Sequence, residues 1–149
     1  QYGFLLDFED WEKSLDYTTE YNITKDGFTI KAVGRVIGSD DPGDFPLSGS
    51  RSFVLNGSQQ YNTYITISGL QGVGTVSMQV APWISGNGDI GATLLVSDGT
   101  RRRRFPIAPD SSIQTLSIEF NNPLAKSILI STTTSTQRNA RIRIDYIRF

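Results

Sequence analysis

The chain has 149 residues, with 14 Lys and Arg against 15 Asp and Glu and a formal net charge of -1. That length suits one domain, residues 1–149, around a single core, and the charge balance argues against a general electrostatic role on nucleic acid. With no cysteine and no histidine, it forms neither a disulfide nor a Cys/His zinc site, and it cannot assemble a Ser-His-Asp or Cys-His nucleophile system.

No apolar run approaches the roughly 20 residues of a membrane helix, so no membrane insertion is expected. The chain opens on Gln1 without a basic-then-apolar leader, as expected of a mature or excised domain. Helical periodicity is nearly absent. Short alternating or apolar runs rich in Val, Ile, Thr, Ser and aromatics recur instead. Strands are expected near residues 3–8, 28–36, 51–56, 61–68, 74–82, 91–97, 102–107, 113–120, 126–132 and 139–148. Between them lie turn signals such as Asp26-Gly27, Asn56-Gly57, Gly86-Asn87-Gly88, Asp98-Gly99 and Asn121-Asn122-Pro123. About ten short strands at this spacing predict an all-β, antiparallel two-sheet sandwich.

The first strand, in "QYGFLLDFEDWEK", carries Phe4, Leu5 and Leu6 into Asp7, Glu9, Asp10 and Glu12, set around Phe8 and Trp11. Acids are poor strand formers and repel one another. Three readings compete: solvated edge charges that discourage edge pairing, a carboxylate pair for hydrolysis, and a hard-cation site of carboxylates and carbonyls. Residues 9–20 leave room for one helical turn. Farther on, "GSDDPGDFPLSGS" holds Asp40, Asp41 and Asp44 in a loop shaped by Gly and Pro. It lacks the EF-hand ladder and its closing Glu, so it reads as a surface loop or as a metal or ligand loop.

Tyr61 and Tyr64 fall on opposite faces of one strand, so one of them is expected outside. In "TVSMQVAPW", Val76, Met78 and Val80 alternate with Thr75, Ser77 and Gln79, and Trp83 shares the polar side. Sugar rings stack on flat side chains through their CH faces, which makes Trp83 the leading ligand candidate, with Gln79 and Ser77 as hydrogen-bonding neighbours. "ATLLV" and "SILI" are more continuously apolar, as if covered on both faces. In "DGTRRRRF", alternation splits four arginines into Arg101 with Arg103 and Arg102 with Arg104. A solvated strand is one reading, and Arg101 or Arg103 at the margin of an acidic ligand is the other. "TLSIEF" turns Leu116, Ile118 and Phe120 inward and Glu119 outward. The last strand, "RIRIDYIRF", sets Asp145 among Ile144, Tyr146 and Ile147, where an acid needs a partner. That partner is a cation shared with Glu9, if the first and last strands adjoin, or one of Arg141 and Arg143. Asn22-Ile23-Thr24 and Asn56-Gly57-Ser58 match the glycosylation sequon, a short pattern that recurs by chance.

Several of these motifs resemble known ones. "LLDFEDWEK" resembles the "F-E-x-x…W" opening of family 4 and family 22 carbohydrate-binding modules, "LSGSRSFVLNG" their small-residue loop and following strand, and "IRIDYIRF" their closing "Y-x-I-D-x-V/I". "GVGTVSMQV" and "LLVSDGTRRRRF" are similar to anchor-type sandwich domains of Bacteroidetes surface proteins. The resemblance spans nearly the whole chain. It implies a jelly-roll sandwich, a structural calcium held by Glu9, a carbonyl near Ser48 or Gly49, and Asp145, with Asp7 or Asp10 as further ligands. It also implies a non-catalytic module of an extracellular or cell-surface protein, appended to other domains and bound to a polysaccharide. The alternatives are a structural or adhesive sandwich without a small ligand, and a hydrolase with two acids facing across a cleft.

Overall fold

The computed structural model describes residues 3–84, 86–132 and 137–149. Among them are eleven strands and no helix: β1 (Leu5–Leu6), β2 (Thr19–Lys25), β3 (Phe28–Gly38), β4 (Arg51–Asn56), β5 (Tyr64–Ser68), β6 (Val73–Pro82), β7 (Ala92–Ser97), β8 (Arg102–Ile107), β9 (Gln114–Asn122), β10 (Ser127–Thr132) and β11 (Arg141–Arg148). All pairs are antiparallel, in two sheets. The front sheet runs β8-β7-β10-β5-β3-β2 and the back sheet β3-β4-β11-β6-β9, with β1 on the end of β11. This is the antiparallel jelly-roll sandwich expected, with first and last strands adjacent: Leu5 faces Arg148 and Leu6 faces Ile147.

One strand serves both sheets. Residues 29–33 of β3 pair with β5 in the front sheet, and residues 35–38 pair with β4 in the back. Gly34 stands at the crossing. A Cβ there would lie 2.6 Å from the Phe53 ring and 2.9 Å from the Val54 carbonyl, so only glycine lets the strand pass so close.

β2 lies outside the strands expected from sequence: only Thr19 and Glu20 fall in the stretch that leaves room for a helical turn, and residues 21–25 lie between that stretch and the strand expected from 28. Only Tyr21 and Ile23 give it an inward face, a two-residue signal. Its hairpin to β3 turns on Asp26 (φ 51°) and Gly27 (φ 84°). Two successive left-handed residues match the right-handed twist of the flanking strands.

The main core lies between the sheets, where Val76, Met78, Val80, Ile118 and Phe120 point inward as expected. Phe4 stacks on Phe149 with ring centroids 4.8 Å apart. Phe8 packs edge-on to Trp11 at 4.9 Å and stacks on Phe53 at 5.5 Å. The segment after β1 therefore plugs one end of the sandwich with aromatic rings, and the acids follow that plug.

A second, smaller core lies outside the back sheet. Tyr17, Ile37, Val54 and Trp83 bury one another there, with Tyr61 and Ile84 at the margin. This overturns the open polar face expected around Trp83. Its indole is 6% exposed and Ser77 is 3% exposed. The Arg141 guanidinium lies 4.6 Å from the indole centroid and that of Arg35 lies 6.0 Å away, so the ring is held by cations and core neighbours and offers no plate to a sugar. Alternation had assigned its side of the sheet correctly but could not show that loops roof that side.

Candidate functional site

The acids after β1 meet the last strand across the loop that precedes β4. Ser50 donates from its N–H and Oγ to Glu9 Oε1 at 2.9 and 2.8 Å, and the Arg51 N–H donates to Oε2 at 2.9 Å. Asp145 reaches the same loop from beneath. Its Oδ2 accepts from the Ser52 Oγ at 2.8 Å and the Ser48 N–H at 3.2 Å, and its Oδ1 accepts from the Tyr146 N–H at 2.8 Å. Burial works against ionised Glu9, but the Ser50 and Arg51 donors and the Arg51 charge hold its carboxyl below the ordinary range. Burial raises Asp145 to about 7 against its three donors, and the charge of Glu9 adds to the rise. Neither arginine meets Asp145. Arg141 pairs with Asp89, and Arg143 donates to the Pro82 and Phe45 carbonyls.

Beside these groups lies a cavity of about 210 Å³ lined by Asp7, Glu9, Ser48, Gly49 and Tyr146. Three backbone conformations shape it. Phe8 (φ 63°), Gly49 (φ 62°) and Tyr146 (φ 50°) are all left-handed. A Cβ on Gly49 would lie 2.7 to 2.9 Å from the carboxyl atoms of Glu9, so any other side chain would fill the cradle. The lining offers oxygen from carboxylates, a hydroxyl and backbone carbonyls, the donor type that hard cations take, although among the described residues no three acidic side chains converge as a metal-binding group. Asp10 stands apart from the cradle. It is exposed and lines a neighbouring hollow that it shares with Asp7 and Glu9, beside Ile23, Thr24 and Lys25.

The second acidic cluster is matched by cations. Lys13 Nζ lies 2.8 Å from Asp40 and 3.0 Å from Asp41, Arg51 lies 3.3 Å from Asp40, and Arg35 lies 3.2 Å from Asp44. These pairs fasten the 40–44 loop to the segment before β2, to β3 and to the start of β4. Nearby, the Ser48 Oγ donates to Gln79 Oε1 at 2.6 Å, so Gln79 is held by the loop. Arg101 and Arg103 each donate a guanidinium N–H to β9, at the Phe120 and Glu119 carbonyls. They tie the edge of the front sheet to the edge of the back sheet. The expected ligand set of Trp83, Gln79, Ser77, Glu119, Arg101 and Arg103 therefore does not form one open face: the first three lie under the roof and the last three serve the β8–β9 seam. Asn56 is 1% exposed and donates to Asn139 Oδ1, which removes its sequon. Asn22 is exposed on β2.

A partly open face exists on the other sheet, exposed at β2, Lys31, Leu129 and β8 and buried at Leu95 and Ser97 of β7. Residues opposite one another in neighbouring strands point to the same side. Ile30, Ile65, Ile67, Leu94, Val96, Ile128 and Ile130 face the core, so their strand neighbours face out. One outward row runs Arg104, Leu95, Ser131, Tyr64, Val33, Glu20, and the next runs Arg102, Ser97, Leu129, Thr66, Lys31, Asn22. Two hollows of about 360 Å³ each adjoin here. One is lined by Tyr61, Asn62, Thr66, Leu129 and Ser131 among others, the second by Glu20, Asn22 and Lys31 among others, and Tyr64 belongs to both. An aromatic ring ringed by hydroxyls, amides and charges is what a sugar requires. Tyr64 was left undecided in the sequence because its strand showed which residues alternate but not which side was open.

No family model matches the chain, and no curated protein matches it. Solved structures do. The K2 cleaved adhesin domain of Lys-gingipain matches with a TM-score of 0.64 at 15% identity, over 98% of this chain and 98% of that one. A family 61 carbohydrate-binding module in complex with β-1,4-galactotriose matches with a TM-score of 0.51 at 13% identity, over 95% of this chain and 92% of that one. The catalytic domain of a GH87 α-1,3-glucanase in complex with tetrasaccharides matches with a TM-score of 0.53 at 13% identity, over 91% of this chain but 28% of that one. At these identities the likeness shows a shared β-sandwich fold.

Proposed function

We propose that the protein is a non-catalytic carbohydrate-binding module that holds a polysaccharide on the outer face of the front sheet. The observation that carries this reading is Tyr64, which lies between two hollows lined by polar side chains. The ring supplies an apolar plate for sugar CH groups, while Thr66, Ser131, Asn22 and Asn62 supply donors and acceptors for hydroxyls. The fold shared with a galactotriose-binding module supports the reading. A hydrolytic role has less support, because Glu9 and Asp145 both accept hydrogen bonds from one loop instead of facing each other across an open cleft. In this reading the unit belongs to an extracellular or cell-surface protein and works beside other domains.

The cradle of Asp7, Glu9 and Asp145, with the Ser48 and Gly49 carbonyls, would hold a structural calcium in the same reading. The ion would supply positive charge to a buried carboxylate that its own donors leave only partly compensated. It would also join the first strand, the loop before β4 and the last strand. Calcium that binds the folded state alone raises the melting temperature as its excess over Kd grows. Protons compete for Asp145, so the rise should be larger at pH 8 than at pH 5. Equal melting temperatures in excess calcium and in a chelator at pH 8 would exclude the ion.

The glycan test is a binding panel with the parent and Tyr64→Ala. Stacking one ring face on a sugar is worth about 1–2 kcal/mol by apolar burial, so Tyr64→Ala should weaken binding about tenfold without changing the melting temperature. A second reading is an adhesive domain without a small ligand, favoured by Leu15 and Phe45, which stand 89% and 58% exposed. Absence of binding to every glycan would favour it.

A further inference from the structure

The four-arginine run divides into two pairs that do different work, and the free pair bears on the ligand. Arg101 and Arg103 bond to the backbone of β9. Arg102 and Arg104 are exposed on β8, opposite Ser97 and Leu95, and so stand on the outer face of the front sheet. Neither has an ion-pair or hydrogen-bond partner among the described residues. Lys31 is likewise exposed on that face, four strands away in the row of Arg102. The only acid in the two rows is Glu20. The chain as a whole is slightly acidic, yet these two rows carry three cations against one anion.

We infer that the ligand of this face is an anionic polysaccharide, one that bears carboxylate or sulfate groups along its length. The inference rests on the carbohydrate reading above and assigns its substrate class. Strands lie about 4.8 Å apart, so Arg102 and Lys31 stand roughly 19 Å apart across the face, and Arg104 roughly 14 Å from Tyr64. A saccharide laid across the strands would meet an aromatic plate in mid-face and cationic groups toward both margins. That span calls for an oligosaccharide of several rings. A guanidinium presents paired N–H donors that match a carboxylate or sulfate in bidentate fashion. Edge protection is the competing role for arginine on an outer strand. Arg101 and Arg103 already tie that edge to β9, and edge protection does not require the other pair to share a face with Tyr64.

The test is isothermal titration of the parent, Tyr64→Ala and the double variant Arg102→Ala/Arg104→Ala with polygalacturonate, chondroitin sulfate, neutral β-1,4-galactan and duplex DNA. Each titration is run at about 50 and about 300 mM salt, on either side of strong screening. The inference expects one or both anionic glycans to bind best, with affinity that falls at the higher salt. The double variant should lose about tenfold or more on that glycan with an unchanged melting temperature. Which anionic glycan binds identifies carboxylate or sulfate as the recognised group. Salt-insensitive binding led by galactan, or an arginine double variant that binds like the parent, would overturn the anionic assignment and leave the carbohydrate reading standing. Duplex DNA binding as tightly as the glycans would reduce the face to a general polyanion surface and overturn it too. No binding to any glycan would overturn both.

Discussion

Replacing Gly49 with alanine should cost far more than a glycine substitution in an exposed turn. Two effects add. Gly49 is left-handed, at φ 62°, and a Cβ in that region costs roughly 1–2 kcal/mol. The new methyl would also lie 2.7 Å from Glu9 Oε1 and 2.9 Å from Oε2. Such a contact would be cheap if that carboxylate were a free end, but both its oxygens are held, by Ser50 and Arg51. Forcing it aside breaks at least one hydrogen bond to a charged acceptor, worth about 1.5–3 kcal/mol. The sum is about 2.5–5 kcal/mol, or roughly 10 °C in melting temperature for a domain of this size. Gly27→Ala supplies the control, since Gly27 is left-handed at φ 84° with nothing within 4 Å of its would-be Cβ, so it should show the backbone cost alone. Urea denaturation of both variants, in the parent and in a Glu9→Ala background, separates the two effects. In that background Gly49→Ala should fall to the cost of Gly27→Ala. If the two glycine variants cost the same in the parent, the carboxylate does not require the glycine and the reasoning fails.

Trp83→Ala should destabilise the fold by about 3–5 kcal/mol, as loss of a buried indole does, and should leave no glycan defect beyond that of unfolding; denaturant melts beside binding at low temperature check this. Asp98 gives a pH signature. Burial opposes its charge, yet the Arg101 N–H, the Asn122 amide, the Thr100 N–H and the Arg101 charge hold its pKa below the ordinary 3.8. A lowered acid stabilises above its unfolded pKa and loses that contribution as pH falls through the folded value. The stability gap between the parent and Asp98→Asn should therefore be constant near neutrality and shrink in acid below about pH 4. A gap that widens in acid would reverse the assignment.

Strand phase was legible wherever apolar and polar residues alternated strictly, as at Val76, Met78 and Val80. The adjacency of the first and last strands was legible too, but the compensation that Asp145 needs among its isoleucines comes from Ser52, Ser48 and Tyr146, which sequence did not single out for it. Other features depended on packing that no single strand encodes. Whether the Trp83 side was open depended on Tyr17 and the loop before β4, distant segments that settle over the back sheet. Asp10 is adjacent to Glu9 yet does not line the cavity beside Ser48 and Gly49, a difference that adjacency in sequence does not reveal. Tyr64 alternates as clearly as Trp83 does, but its exposure became visible only once the sheets were assembled. The arginine run split by alternation as expected, with Arg101 and Arg103 bonded to β9 and Arg102 and Arg104 on the outer face of the front sheet.

The shared strand β3 couples the two sheets in unfolding. Its amides are bonded to β2 and β5 along one half and to β4 along the other, so neither sheet can open without disturbing the other's ladder. Partial unfolding that frees one sheet alone is thereby disfavoured, and amides along β3 should exchange with solvent only through global opening. A cation in the back-sheet cradle and a glycan on the front sheet, though they touch no common residue, would then draw on the same unfolding equilibrium. Each would protect the whole of β3 from exchange, and their stabilising effects would accumulate on one transition.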